Sequence, residues 1–351
     1  MTQKDEVIDN KWIKHAFDGH LNTKIGLIKR IKTYISLKDK LLNSAVRLGV
    51  NRNNYKIQPG IYAVGNPNER SQVLVTSNYK LTFDELRKNL SRLDVWILVL
   101  DTKGINVWCA AGKGTFSTEE LIYRIKKHKV DKLVAHKNLI LPQLSAPGVS
   151  SYKVTKYIGF KINYGPVKAS DINKFLNNNI TKDMRKVTFN LKERLSVTPL
   201  EFVYSVKYIP FIILFFLFLN ILSGSSLIDG LKDSIINIVP YIGAIFIGTI
   251  LFPMLIPILP FRIFSFNGIL LGIIYCIILF NNKYILYDKP FLWIIGNSLL
   301  LISIIAYLAM NFTGSTTFTS HSGVRRETII TIPILLLLVL SGIILIILNA
   351  F

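Results

Sequence analysis

The sequence predicts an α/β domain followed by an all-α transmembrane domain of five helices. Three observations support this. First, charge is unevenly distributed. Of 42 Lys and Arg and 21 Asp and Glu, only six and four fall in residues 211–351, which leaves 36 and 17 in residues 1–210. Second, short apolar runs alternate with capped helical segments between residues 71 and 178, the pattern of a mainly parallel sheet. Third, five apolar runs follow, and five in 140 residues exceed what a soluble core would hold.

A chain of this length divides into domains. Residues 1–50 read as an N-terminal amphipathic helical extension, 51–200 as the α/β domain and 201–351 as the membrane domain. In the first, "HLNTKIGLIKRIKTYISLKDKLLNSAVRLGV" (His20–Val50) has helical periodicity suited to packing or to a membrane surface. Ser71–Ser77 reads as a strand. Thr82–Leu93 reads as a helix, with Thr82 as N-cap and Glu85 completing a capping box. "DVWILVLD" (Asp94–Asp101) is a continuous apolar strand of the kind buried on both faces. Ser117 and Glu120 cap the next helix. Lys132–His136 and Lys156–Gly165 read as further strands, and Ser170–Asn178 as a capped helix.

The predicted spans are Tyr208–Leu222, Ile235–Leu259, Ile263–Phe280, Phe291–Met310 and Ile329–Ala350. Pro240, Pro253 and Pro257 predict a kinked or broken second span. The Lys- and Arg-rich stretch "MRKVTFNLKERLSV" before the first span predicts a cytoplasmic α/β domain. On that assignment Arg262, Arg325 and Arg326 lie inside, Lys232, Lys283 and Lys289 outside, and the C-terminus outside. The loop Asn311–Glu327, rich in Ser, Thr and Gly, would face the cytoplasm. The polar N-terminus lacks the apolar core of a secretion signal. The location expected is a multi-pass protein of the cytoplasmic membrane.

The net charge of +21 suits an anionic membrane surface or a nucleic acid. No zinc-finger, helix-turn-helix or RNP pattern is present, and the apolar half favours membrane lipid, so no nucleic acid partner is expected. The two cysteines, Cys109 and Cys276, cannot supply a disulfide framework or hold an iron–sulfur cluster unaided.

Cys109 stands in "NVWCAAGK" (Asn106–Lys113), just after the apolar strand. Ligands of parallel sheets bind beyond the carboxyl ends of strands. A phosphate-binding loop fails on spacing, since Val107 and Gly114 stand where the pattern needs glycine and Ser or Thr. A nucleophilic cysteine would need a base; His128 and His136 are available in sequence terms, with nothing in the sequence fixing them near Cys109. A small buried thiol and a soft-metal thiolate ligand remain open. Ala110, Ala111 and Gly112 leave room for a large flat group beside the sulfur.

The motif resembles the N-[VI]-W-C-A-[AG]-G-K signature of the mercury-methylation corrinoid protein family (HgcA). It is also similar to the corrinoid-binding domain of the corrinoid iron–sulfur protein of acetyl-CoA synthesis. "VLVTSNYKLTFDELR", "LILPQLSAPGV", "GFKINYGPVKASDI", "MRKVTF" and "AMNFTGSTTFTSHSGV" resemble blocks that family carries in the same order, and the likeness covers roughly residues 55–351. The resemblance implies a Rossmann-like corrinoid-binding domain and a cobalamin-type cofactor under a cap helix formed by Asn106–Lys113. Cys109 would be the lower axial ligand to cobalt, placed as both metal-binding and catalytic residue. Asn106, Val107, Trp108, Ala110, Ala111, Gly112 and Lys113 would contact the cofactor, with Thr76 and Asn78 at the end of the first strand. Gln143, Ser145 and Gly148 are weaker candidates. The histidine-ligation pattern D-x-H-x-x-G begins at Asp18-Gly19-His20 but fails at Thr23, in keeping with cysteine ligation.

The implied activity is a corrinoid-dependent methyltransferase that passes a cobalt-bound methyl group to Hg(II). A corrinoid methyl carrier with another acceptor is the alternative. The implied partners are a methyl-folate donor or its methyltransferase and a small ferredoxin with two [4Fe–4S] clusters, whose acidic surface would suit a basic domain.

Overall fold

The computed structural model describes residues 10–280, 290–312 and 321–350. They divide into two compact units: residues up to Val46 together with Val50–Thr188, and Arg47–Gly49 together with the chain from Phe189 onward.

The described residues of the first unit form a seven-stranded sheet in the order β1-β2-β3-β5-β4-β6-β7. The strands are β1 (Phe17–Thr23), β2 (Gly26–Ile31), β3 (Gly60–Val64), β4 (Val73–Ser77), β5 (Val95–Leu100), β6 (Asn138–Leu141) and β7 (Lys161–Tyr164). The sheet is mixed. β5, β4, β6 and β7 run parallel, with Thr76 opposite Val99 and Leu74 opposite Ile140, while β3 pairs antiparallel with β5 and β1 with β2. Helices of the unit are α1 (Leu37–Arg47), α2 (Lys80–Lys88), α3 (Val107–Gly112), α4 (Thr118–Lys127), α5 (Val130–Leu133), α6 (Ser151–Ile158) and α7 (Ile172–Leu176).

β5 is buried along its whole length, and its side chains alternate between two cores. Trp96, Leu98 and Leu100 join Ala110, Phe116, Leu121 and Phe160 on one face. Val95, Ile97 and Val99 join Tyr62, Phe83 and Leu90 on the other. From β4 the chain crosses to β5 on one side, and after β5 it returns past β4 to β6 on the other. The carboxyl ends of β4 and β6 therefore flank a topological switch point.

Several sequence expectations are corrected. The stretch predicted as an N-terminal helix makes the β1–β2 hairpin, and only Leu37–Arg47 of it is helical. Leu21, Ile25 and Ile28 pack on a sheet core, so tertiary burial overrode the local periodicity. Lys132–His136 is no strand. It contains the end of α5, and the strand follows at Asn138. Lys156–Gly165 is split at Gly159, a left-handed helix cap, into the end of α6 and β7. α2 starts two residues before Thr82, at Lys80, with no side-chain cap, and Ser170 likewise caps nothing at α7. Ser117 does cap α4 by accepting from the Glu120 N–H at 3.2 Å.

The second unit is helical: α8 (Leu191–Leu195), α9 (Thr198–Val206), α10 (Ile209–Leu222), α11 (Leu227–Asn237), α12 (Val239–Phe246), α13 (Phe252–Leu255), α14 (Phe264–Phe280), α15 (Phe291–Asn311) and α16 (His321–Ala350). Four helical stretches among the described residues are long and apolar enough to cross a membrane: Leu191–Leu222, Leu227–Ile258, Phe291–Asn311 and Ser322–Asn349. The third of the five predicted spans is a shorter apolar helix of 17 residues, α14. The proline-rich second span is interrupted, by a π-helical turn at Ile247–Leu251 and a 3-10 turn at Ile256–Ile258. At the head of α16, Glu327 is buried and accepts the Ser265 N–H at 2.7 Å. The loop with Lys283 and Lys289, and residues 313–320 of the Ser- and Thr-rich loop, lie outside the described residues.

Candidate functional site at the cap helix

The site is built from the turns that leave β4, β5 and β6. After β5 the chain makes a tight turn through Asp101, Thr102 and Gly104 and enters α3. Asn106 is the N-cap, its Oδ1 accepting the Cys109 N–H at 2.9 Å. This is the local reason for the motif's asparagine: it satisfies a donor at the start of a helix only six residues long.

Helical geometry then sorts the motif into two faces. Val107, Ala110 and Ala111 point into the core and are buried. Trp108, Cys109, Gly112 and Lys113 point outward, Trp108 with 40% of its surface exposed. Cys109 is a free, exposed thiol. A side-chain carbon added at Gly112 or Gly114 would meet nothing within 4 Å, so the surface around the sulfur is open.

α3 rests on the turn Gln143–Ser145 after β6 and on the end of β4. The approach requires Gly148. A Cβ there would lie 2.2 Å from the Phe116 carbonyl oxygen and 3.0 Å from the Ala111 Cα. Ser145 is fully buried, its hydroxyl donating to the Pro142 carbonyl at 2.8 Å. The Gln143 side chain accepts from the Arg185 guanidinium at 3.2 Å. These three residues thus support the cap helix from below.

Asn78 is also a support. It is fully buried, and its Oδ1 accepts the Thr102 N–H (3.1 Å), the Thr102 hydroxyl (2.9 Å) and the Gly104 N–H (3.0 Å). Its amide donates to Asp101 at 3.1 Å. Thr76 is buried in the β4–β5 ladder. The structure therefore brings Asn106, Trp108, Cys109, Gly112 and Lys113 to one exposed surface and places Thr76, Asn78, Val107, Ala110 and Ala111 beneath it.

Sequence reasoning missed the roles of Asp101 and Thr102 and gave Glu120 a capping role it does not have. The Glu120 carboxylate does not close a capping box. It accepts the Asp101 N–H at 2.7 Å and pairs with Arg124. Burial pushes the Asp101 carboxyl up, but the Lys103 ammonium and N–H bonds, with the charges of Lys103 and Arg124, outweigh it and hold the group below the usual carboxylate range. The signal available was the Asp-Thr-x-Gly run after an apolar strand, which is turn chemistry. The two histidines considered as bases have other roles. His136 bonds the Ser71 carbonyl at 2.9 Å, and His128 lies under Gly60, against β3. Among the described residues, no group of three or more His, Cys, Asp or Glu could hold a metal ion, so any metal bound by Cys109 would bring its own remaining ligands.

Residues 51–176 match the family described as CO dehydrogenase/acetyl-CoA synthase delta subunit, and this segment falls within the α/β unit. The gamma subunit of the acetyl-CoA decarbonylase/synthase complex of Methanopyrus kandleri is 31% identical over 123 residues, covering 34% of this chain and 26% of that protein. The counterpart from Methanocaldococcus jannaschii is 30% identical over 132 residues, 37% of this chain and 27% of that protein. The corrinoid/iron-sulfur protein large subunit of Moorella thermoacetica is 28% identical over 127 residues, 36% of this chain and 28% of that protein. The chain thus spans about a quarter of the length of these curated relatives. By family match and by these likenesses, the α/β unit is related to the corrinoid iron–sulfur and acetyl-CoA synthase subunits.

Proposed function

We propose that this chain is a membrane-anchored corrinoid methyl carrier whose methyl acceptor is Hg(II). The observation that carries the reading is the placement of Cys109: an exposed thiol on the outer face of a capped helix, beyond the carboxyl end of the central strand. The relationship to a corrinoid/iron-sulfur protein supports the cofactor class. The residues present fit such a group. The sulfur is a soft donor, the open surface at Gly112 and Gly114 admits a wide planar ring, and Trp108 offers a flat apolar flank.

The Cys109 sulfur would be the chain's ligand to the metal, and Asn106 would fix the helix turn that presents it. Lys113 would reach amide or phosphate groups at the ring edge. When bound, the corrinoid supplies a cobalt centre that accepts and releases methyl groups. A Cys109 thiolate would donate charge to the bound metal and so tune its methyl chemistry. The Hg(II) acceptor rests on the "NVWCAAGK" signature together with the membrane-length helices. On this reading the chain takes electrons from a small ferredoxin with two [4Fe–4S] clusters and methyl from a methyl-folate donor or its methyltransferase.

The test is the full-length protein in detergent, loaded with hydroxocobalamin. Cys109→Ala should shift the cobalt absorption bands relative to the parent, and an unchanged spectrum would overturn thiolate ligation. Cells carrying or lacking the gene, exposed to Hg(II), test the acceptor: equal methylmercury in both would refute it while leaving the corrinoid reading intact.

A further inference from the structure

Helix α1 buries a carboxylate and exposes leucines. Its buried side holds Asp39 and Asn43 beside the apolar Val46 and Leu42. Asp39 is fully buried and takes Lys80 Nζ at 2.9 Å, Arg87 Nη2 at 2.8 Å and His15 Nε2 at 2.8 Å. Asn43 on the same side donates to Asp84 at 3.1 Å and accepts from the Tyr55 hydroxyl at 2.8 Å. Lys80, Asp84 and Arg87, all buried on α2, complete a neutral set of two carboxylates and two cations.

The outward side carries a narrow apolar stripe among exposed Lys38, Lys40, Ser44 and Arg47. Leu37 is 70% and Leu41 64% exposed, with Tyr34 at 73% before the helix and Leu48 and Val50 also exposed after it. At 100° per residue, Leu37, Leu41 and Ser44 lie on one stripe, with Lys38 on one flank and Lys40 and Arg47 on the other. All three cations are exposed. The buried network also reaches beyond the helix, because the Arg87 guanidinium donates at 2.7 Å to the carbonyls of both Lys32 and Tyr34.

We infer that the outward face of α1 is a membrane-docking surface, lying in the headgroup region of an anionic bilayer. Leucines would enter the acyl boundary, and Lys38, Lys40 and Arg47 would meet lipid phosphates. Two further observations select lipid as the occupant. The α/β unit ends at Thr188, and the first membrane-length helix begins at Leu191, so the chain tethers the unit to the bilayer. Residues 1–210 also carry 36 basic against 17 acidic side chains, which complements an anionic leaflet. A basic flank around an apolar stripe is the composition of interfacial helices.

The experiment uses the full chain in nanodiscs of phosphatidylcholine, with or without added phosphatidylglycerol. A photoreactive benzoyl-phenylalanine replaces Leu41, or Glu119 on α4 as a control. Illumination should give phospholipid adducts at position 41 and not at 119, with yield rising severalfold when the anionic lipid is present. The triple variant Lys38→Gln, Lys40→Gln, Arg47→Gln leaves the buried network untouched and should abolish that rise. Absence of lipid adducts at 41, or adducts only to a second copy of the chain, would overturn the inference. Unchanged hydrogen exchange in α2 shows that each variant is folded.

Discussion

Replacing Asn78 with alanine separates a structural asparagine from a cofactor contact. Asn78 is fully buried, and its side-chain oxygen accepts the backbone N–H groups of Thr102 and Gly104. Alanine leaves both donors buried and unpaired. The Thr102 hydroxyl has a second acceptor in the Ile105 carbonyl at 2.7 Å and is spared. At about 1–3 kcal/mol for each of the two stranded donors, the expected loss is about 2–6 kcal/mol, a large part of the ~5–15 kcal/mol that holds a domain together. Asn78→Asp keeps the acceptor but loses the donor to Asp101 and places a second carboxylate beside it. Its destabilisation should therefore shrink as pH falls and the new carboxyl protonates. The assay is hydrogen exchange of the β4 and β5 amides in the full-length protein as denaturant rises, alongside the cobalamin spectrum. If Asn78→Ala alters cobalamin binding while stability stays within about 0.5 kcal/mol, the residue contacts cofactor and the support role is wrong.

Other outcomes follow from the same geometry. Gly148→Ala puts a methyl 2.2 Å from the Phe116 carbonyl oxygen and 3.0 Å from the Ala111 Cα of α3, so the turn after α3 and the helix must shift; a loss of about 1–3 kcal/mol and faster exchange in α3 are expected, and wild-type exchange would contradict the packing. His128 is held neutral, its pKa lowered from 6.5 to about 4, first by burial and then by Arg124 and Lys127. Its contribution is fully present above about pH 6.5 and lost as pH falls through about 4, by an order of 3 kcal/mol, and His128→Gln should flatten the pH–stability curve in that window. Lys80→Met leaves Asp39 and Asp84 sharing Arg87, and should cost about 3–5 kcal/mol and loosen α1 in hydrogen exchange.

The elements legible in the sequence were those set by local or one-dimensional patterns. The continuous apolar run Val95–Leu100 could only be a strand buried on both faces, and Ser117 could be placed at a helix start because a cap is a contact between near neighbours. Membrane-length helices follow from composition alone, since the bilayer fixes the length of apolar helix required. The motif residues and the exposed cysteine's position after a central strand were readable for the same reason.

Tertiary structure decided the rest. The hairpin β1–β2 has helical periodicity in its sequence, yet forms strands because its apolar residues bury against the sheet. Thr76 and Asn78 lie at the end of β4, where contact with a ligand is expected, but only the fold shows Asn78 turned inward to hold the Asp101–Gly104 turn. Gly148 and Ala111 are 37 positions apart, and their close approach has no sequence signature. The burial of Asp39 on α1 is the clearest case. Sequence shows that the helix has two faces, but which one is buried depends on Lys80, Asp84 and Arg87, some 40 residues away, supplying the charges that draw Asp39 inward.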